Sequence, residues 1–282
     1  MHEAATRVAV VGHVEWVQFA RVEEVPRAGE VVHASHPFEE PAGGGAVAAV
    51  QLARLAGKAT LITALGDDET ARRSRSRLSE LGVEVHVATD ELPSRRAVTL
   101  LDEHGERTII TLGERLDPPA ELVRSVLEGG RRFDGIYFTA GGPDALRCAR
   151  EFSKVLTASP RAVHGLGHGV ELDALILSGR DEYEVSVAGG AEGEADTVVR
   201  TEGSEGGSYR QRGSEARHWG TIPPPGPVVD GYGCGDSFAA GVTFGLAAGM
   251  PIEEALAVGA RCGAVCATGH GPYERQLRAR DL

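Results

Sequence analysis

The stretch that most constrains this chain is Val228-Val-Asp-Gly-Tyr-Gly-Cys-Gly-Asp-Ser-Phe-Ala-Ala-Gly241. Two β-branched residues lead into Asp230. Gly231, Gly233 and Gly235 then alternate with Tyr232 and Cys234, Asp236 follows, and Phe238, Val242, Gly245, Leu246 and Gly249 share one helical face. The pattern predicts a strand, a glycine loop and a helix N-terminus. Alternating glycines let backbone N–H groups turn toward one point, and at the positive end of a helix dipole that point attracts an anion. A carboxylate at the same helix start repels an anion, so Asp236 is expected to work beside it, as a base for a hydroxyl proton. A phosphate held by N–H groups next to such a base is the equipment of phosphoryl transfer. The plainer reading, a simple turn with Asp236 as N-cap, leaves the ordered set of three glycines, two aspartates and an apolar helix start unexplained. The two positive fields at the helix start are expected to favour the charged form of Asp236. No Gly-Lys-Ser/Thr follows the glycines, so this is not a Walker loop.

The order of these residues resembles the second signature of the ribokinase (PfkB) carbohydrate kinase family, Asp-Thr-x-Gly-Ala-Gly-Asp. Asp230, Gly233, Gly235 and Asp236 match it, while Gly231 stands for the Thr and Cys234 for the Ala. The resemblance implies that Asp236 is the catalytic base and that the backbone of Gly233, Cys234 and Gly235 forms the anion hole. It implies ATP as donor, Mg²⁺ as the accompanying ion, and a hydroxyl of a sugar or sugar-like small molecule as acceptor. It also implies an α/β fold: a ribokinase-like three-layer sandwich with a mostly parallel central sheet and a small β lid. All of 1–282 would form one domain, with lid strands around 17–41 and 96–112.

A second stretch, Phe38-Glu-Glu-Pro-Ala-Gly-Gly-Gly-Ala-Val-Ala-Ala-Val50, opens a helix with a proline and three glycines. Small residues here either let a helix lie close on a sheet or let backbone approach a polar substrate. It resembles the family's first signature, Gly-Gly-x-x-x-Asn-x-Ala, through Gly43, Gly45 and Ala49, with Val47 where the family has Asn. In the first loop, Glu15 stands where relatives have Asn and Val17 where they have the substrate-gripping Asp. By resemblance Glu15, Val17, Gly43, Gly44, Gly45 and Val47 are the acceptor-facing positions. Glu15 can accept hydrogen bonds from hydroxyls, or it is a surface loop carboxylate. Trp16 beside it is expected to pack.

Further resemblances are looser. Thr201, Gly203 and Gly206 match a Thr-x-Gly-x-x-Gly segment that lies along the nucleotide in relatives, and Gly263 belongs to a final small-residue helix beside adenine. Asp181 or Glu182 stands for a glutamate that organises water around Mg²⁺, the choice resting on a one-residue shift. As first-turn acids, both also suit a helix N-terminus.

Along the chain, Arg7–Gly12 and Ala59–Leu65 read as buried strands. Pro26–Val32 reads as a turn followed by strand material, and Arg96–Leu101 with Arg107–Leu112 as a hairpin turning at Gly105. Helices are expected over about Asp117–Leu127 and Pro143–Leu156, and strands over Gly135–Thr139 and Ala174–Leu177. This alternation argues for a doubly wound parallel sheet. His164 and His168 lie in a glycine-rich loop with no evident third ligand.

At 282 residues with 41% hydrophobic residues the chain can build one large core. A net charge of −12 and a pI of about 5.3 disfavour nucleic acid and anionic membranes as partners. The four cysteines form no disulfide framework; Cys262 and Cys266 read as small buried hydrophobes, and a reducing cytoplasm is expected. The start of the chain lacks a signal-peptide profile. A homodimer through the lid strands is a further expectation. The rival readings are a nucleoside or vitamin-precursor kinase on the same fold, and a sugar or nucleotide sensor without turnover. A dinucleotide dehydrogenase is disfavoured because no G-x-G-x-x-G follows the first strand.

Overall fold

A computed structural model describes residues 6–103 and 105–282. The first five residues, part of the start read above for a leader, and His104 in the hairpin turn lie outside the described residues. In chain order the elements are β1 (Val8–Val11), β2 (Glu15–Arg21), β3 (Ser35–Ala42), α1 (Gly44–Ala56), β4 (Ala59–Gly66), α2 (Glu69–Glu80) and β5 (Val83–Asp90). β6 (Arg96–Leu101), β7 (Arg107–Leu112), α3 (Ala120–Leu127), β8 (Phe133–Phe138), α4 (Pro143–Phe152), β9 (Ser153–Ala158) and β10 (Leu172–Ser178) follow. The chain closes with α5 (Glu182–Ala188), β11 (Ala195–Thr201), β12 (Gly207–Gln211), β13 (Arg217–Trp219), α6 (Cys234–Ala247) and α7 (Ile252–Cys266).

Nine strands form one sheet in the order β13-β12-β11-β10-β9-β8-β1-β4-β5, parallel from β11 to β5, with β12 and β13 antiparallel at one edge. The central strand shows why it must be covered twice. Val8 and Val10 of β1 face one core, shared with α1, α6 and α7, while Ala9 and Val11 face another, shared with α3 and α4. All four are buried, as a run of apolar residues in a two-sided parallel strand requires. Because β1, β8, β9 and β10 all run parallel, the loops that follow them gather at one edge of the sheet. In an open α/β sheet that carboxyl edge is where ligands bind.

The lid is a four-stranded sheet, β3-β2-β6-β7, with β2 and β6 parallel and the outer pairs antiparallel. It is tied to the glycine-loop side of the molecule. Phe19 of β2 stacks on Phe38 of β3 at 4.6 Å and meets Tyr232 edge-on at 4.8 Å. Arg21 donates to the Val229 carbonyl at 2.8 Å. Trp16 packs as expected, 7% exposed, beneath the Arg73 guanidinium.

Two boundaries differ from the sequence reading. The helix expected over Pro143–Leu156 stops at Phe152, and Ser153–Ala158 becomes β9, wedged between β8 and β10. No glycine or proline marks the break. Arg150 in the last turn takes the carbonyls of Ser153 and Lys154 at 3.0 and 2.8 Å, and Asp173 receives the Leu156 N–H at 2.7 Å, so side chains distant in sequence or on the helix itself set the end. Val31 and Val32, expected as strand material, find no partner strand and lie exposed; β3 begins at Ser35. Among the described residues no helix is long and apolar enough to cross a membrane.

Candidate active site

The glycine loop is braced from three sides. The Asp230 carboxylate receives the Tyr232 N–H at 2.7 Å and the Gly271 N–H at 2.8 Å, so this aspartate is spent on shaping the loop. The Tyr232 hydroxyl receives the Gly43 N–H at 3.3 Å, joining the two glycine stretches. From the lid, Gly231 N donates to the Gly105 carbonyl at 3.4 Å. Gly233 then turns the chain into α6 with φ +78°, a left-handed conformation in which a side chain is strained. A Cβ there would also meet Val47 Cγ1 at 3.0 Å. Gly233 offers no side-chain cap, and Ser237 N is the first amide to bond back, to the Gly233 carbonyl at 2.9 Å. The N–H groups of Cys234, Gly235 and Asp236 are therefore the open donors of the first turn.

Asp236 faces the second glycine stretch at a close approach that Gly44 permits by having no side chain. A Cβ on Gly44 would lie 3.0 Å from Asp236 Oδ1, 3.2 Å from Thr139 Oγ1 and 3.5 Å from His13 Cε1. Gly43, with φ +86°, brings the chain equally close to Glu15 and His13: a Cβ there would lie 3.3 Å from Glu15 Cγ and 3.0 Å from His13 Nε2. Gly45 N donates to the His13 carbonyl at 3.2 Å. The loop after β1, the start of α1, the end of β8 and the start of α6 thus meet at one point on the carboxyl edge of the sheet.

The electrostatics there reverse one expectation. Burial raises the Asp236 carboxyl to about 6; the Glu184 carboxylate adds to the rise, Arg107 and Arg161 oppose it, and Glu15 adds a smaller push. Desolvation outweighs the helix-end field that was expected to favour the charged form. Asp236 remains half-buried rather than sealed, so water in the cleft tempers the rise. Glu15 is 6% exposed and sits 3.3 Å from Arg95 Nε, not on the surface; burial raises its carboxyl, with Arg95, Arg161 and Arg115 pulling it back.

Other site expectations land as follows. Val17 and Val47 are fully buried and present no atoms to a ligand. Asp181 caps α5, receiving the N–H groups of Tyr183 and Glu184 at 3.0 and 3.1 Å, and pairs with Arg161, while Glu182 is exposed. The carboxylate of this segment whose charge reaches Asp236 is Glu184, which receives Ser178 N at 2.8 Å and Arg161 Nε at 2.8 Å. Sequence reasoning passed over Glu184, along with His13, Arg95, Arg115 and Arg161. For His13, Arg161 and Glu184 the signal was position, since each follows the end of a parallel strand within a few residues. No cluster of three His, Cys, Asp or Glu fit to hold a metal occurs among the described residues. His164 pairs with Asp117 at 2.8 Å.

On the other flank, Thr201 ends β11 with its hydroxyl 3.3 Å from the Leu177 carbonyl, and Gly203 and Gly206 turn the chain into β12 at φ +62° and +87°. Gly206 has a packing reason as well, since a Cβ there would collide with the Trp219 carbonyl. Gly263 lets α7 approach the α6 start, where its Cβ would lie 3.2 Å from the Cys234 carbonyl. Between β13 and α7 lies a cavity of about 340 Å³ walled by Trp219, Ile222, Leu256, Ala257 and Ala260.

The model of the pfkB family of carbohydrate kinases matches residues 5–119 and 171–279. The chain belongs to that family. It is similar to the acarbose 7(IV)-phosphotransferase of an Actinoplanes species, 28% identical over 93% of this chain and 92% of the relative. It is also similar to the ATP-dependent ribose-1-phosphate kinase of Halopiger xanaduensis, 29% identical over 94% and 93%. Among solved structures, Arabidopsis thaliana ribokinase complexed with ribose and ATP superposes with a TM-score of 0.73 at 19% identity, covering 98% of this chain and 97% of that one. The chain is thus a ribokinase-fold, ATP-dependent phosphotransferase acting on a sugar-type hydroxyl.

Proposed function

We propose that this carbohydrate kinase holds its acceptor in the gap at Gly44, with the reacting hydroxyl against Asp236. The observation that carries the reading is the position of Asp236: its carboxyl oxygen lies beside the side-chain-free backbone at Gly44 on one side and the open amide groups of the α6 start on the other. As the γ-phosphoryl group arrives, Asp236 takes the hydroxyl proton. The N–H groups of Cys234, Gly235 and Asp236 stabilise the charge on the phosphates without having to reorganise. A carboxyl raised to about 6 remains mostly ionised at neutral pH while being a stronger base than an ordinary aspartate.

The nucleotide is assigned to the flank beyond the phosphate loop. Its ribose and phosphates would run past Thr201, Gly203 and Gly206, with the base toward Gly263 and the apolar Trp219–Ala260 cavity. Mg²⁺ fits this chain as an ion held by triphosphate oxygens and water, since magnesium keeps most of its waters and needs no protein cage. Asp181 and Glu184 are the carboxylates assigned to serve it through water, and Glu182, being exposed, is the weaker candidate. When bound, the ion neutralises triphosphate charge. The exposed Ile109, Ile110 and Leu112 on the outer strand β7 support a homodimer through the lid, and dependence on ATP is in keeping with a cytoplasmic enzyme.

The test is ADP release from Mg-ATP across a panel of free sugars, polyols, nucleosides and sugar phosphates, run on the parent and on Asp236→Asn. Release that depends on one acceptor class and collapses in Asp236→Asn supports the reading. Preferred turnover of a nucleoside shifts it to a nucleoside kinase. Ligand binding without any turnover shifts it to a sensor.

A further inference from the structure

Val17 and Val47 are sealed in the core and offer an acceptor no polar group. Something else must hold the acceptor's oxygens, and the candidates are the polar groups that line the gap with hydrogen-bonding capacity unspent. Two stand out. His13 Nδ1 and Arg95 Nε are both covered by protein and have no hydrogen-bond partner among the described residues, although Arg95 Nε is 3.3 Å from a Glu15 oxygen. A buried donor left unmade costs free energy, so a group that leaves such donors is arranged for a ligand or strained for another reason.

The ring's protonation follows from its contacts. His13 Nε2 accepts the Gly44 N–H at 3.4 Å, so the neutral ring carries its proton on Nδ1. Burial, together with the guanidiniums of Arg115, Arg95 and Arg161, lowers His13 to about 3 and keeps the ring neutral at any working pH. A neutral ring does not compete with Asp236 as a base. Its Nδ1–H is a buried donor without a partner among the described residues, on a ring whose Cε1 lies 3.5 Å from the same Gly44 Cβ position that Asp236 Oδ1 approaches at 3.0 Å.

The charge around the ring narrows what it can face. Each of the three guanidiniums nearest His13 already answers a carboxylate: Arg95 to Glu15 at 3.3 Å, Arg115 to Asp117 at 3.1 Å, and Arg161 to both Glu184 and Asp181. An acid group entering here would have to separate one of these pairs, at the cost of leaving a carboxylate uncompensated. An uncharged hydroxyl asks for no such exchange.

We propose that His13 is an acceptor-binding residue whose Nδ1–H donates to an oxygen next to the reacting hydroxyl, and that the acceptor is an uncharged polyhydroxy compound at this end. This rests on the reading that the acceptor lies at Gly44 with Asp236 as base. His13 then determines specificity in place of the side chains missing at 17 and 47.

Two substitutions separate this role from a merely structural one. In His13→Asn the amide nitrogen falls near the Nδ1 position and keeps a donor toward the gap. In His13→Gln the amide oxygen falls near the Nε2 position, keeping the acceptor for Gly44 N–H and losing the donor. The probes are D-ribose, D-fructose, maltose and myo-inositol, each run beside a pentose or hexose phosphate monoester. We expect His13→Gln to raise the acceptor KM about 10-fold above that of His13→Asn, the scale of one lost hydrogen bond to an uncharged group, with the ATP KM alike in both. The reverse order, with Asn the worse variant, makes His13 a brace for Gly44 and overturns the proposal. Preference for a phosphate monoester overturns the assigned acceptor class. Independently of turnover, ¹⁵N imidazole spectra of the full chain, assigned with His13→Gln, should show a neutral Nδ1–H ring from pH 5.5 to 8. An Nε2–H ring, or one that titrates near 6.5, overturns it as well. Failure of the parent reading is distinct: Asp236→Asn then turns over like the parent whatever the two His13 variants do.

Discussion

Replacing Asp236 with Asn should make the protein inactive and more stable together, and the size of the second effect follows from the site. Asp236 rises from 3.8 in an unstructured chain to about 6 in the fold. A carboxyl raised in the native state binds its proton more tightly folded than unfolded. Its contribution is therefore fully present below pH 3.8 and is lost as pH climbs through 6. Above that, the ionised group opposes folding by about 3 kcal/mol, at roughly 1.4 kcal/mol per pKa unit. Because the cleft leaves Asp236 only half-buried, the measurable part is about 1–3 kcal/mol. Asn keeps the shape and cannot ionise. Urea unfolding monitored at a series of pH values should show parent and variant equally stable near pH 4 and the variant ahead by about 1–3 kcal/mol at pH 7.5. On the same samples kcat should fall about 10²–10⁴-fold, the usual cost of removing a general base, while ATP affinity is retained or improved because a negative charge beside the phosphates is gone. A variant no more stable at pH 7.5, or stabilised equally at pH 4, would refute the argument that burial dominates this site. Undiminished kcat would remove Asp236 as the base.

For the parent enzyme, kcat/KM measured against pH should fall on the acid side with a midpoint near 6, as the base gains a proton; an acid limb near 4 would mean that the helix-end field wins after all. Gly44→Ala puts a methyl 3.0 Å from Asp236 Oδ1, where φ is not left-handed, so the fold should survive while turnover falls at least about 10-fold with ATP binding kept; a fully active Gly44→Ala would show that the acceptor lies elsewhere. Glu15→Gln leaves Arg95 without its counter-charge and should raise the acceptor KM several times more than the ATP KM, as steady-state kinetics would show; equal small changes would return Glu15 to a structural role. Ile110→Lys on the outer lid strand should convert a dimer to monomers in sedimentation velocity, and a parent protein that sediments as a monomer would dispose of the lid dimer.

What the residues determine locally, the sequence carried by itself. Gly233 enters α6 at positive φ and Asp236 follows in the first turn, so the loop and the helix start that carry the proposed base could be read three residues apart. The alternation of apolar runs with helix-length segments led to the doubly wound sheet for the same reason: period and capping are properties of short windows. Tertiary structure alone decided what those windows meet. Glu15, Arg107, Arg161 and Glu184 bear on Asp236 from four separate segments, and no spacing along the chain encodes that. It also decided the sign of the Asp236 shift, because desolvation depends on neighbours in space while the helix-end field depends on neighbours in sequence. The end of α4 at Phe152 was settled in the same way. Lys154-Val-Leu-Thr157 is acceptable to helix and strand alike, and it became β9 because β8 and β10 leave a place for a strand between them. Val47 shows the same division: its sequence position suggests a ligand contact, yet its side chain is buried and packed against Gly233.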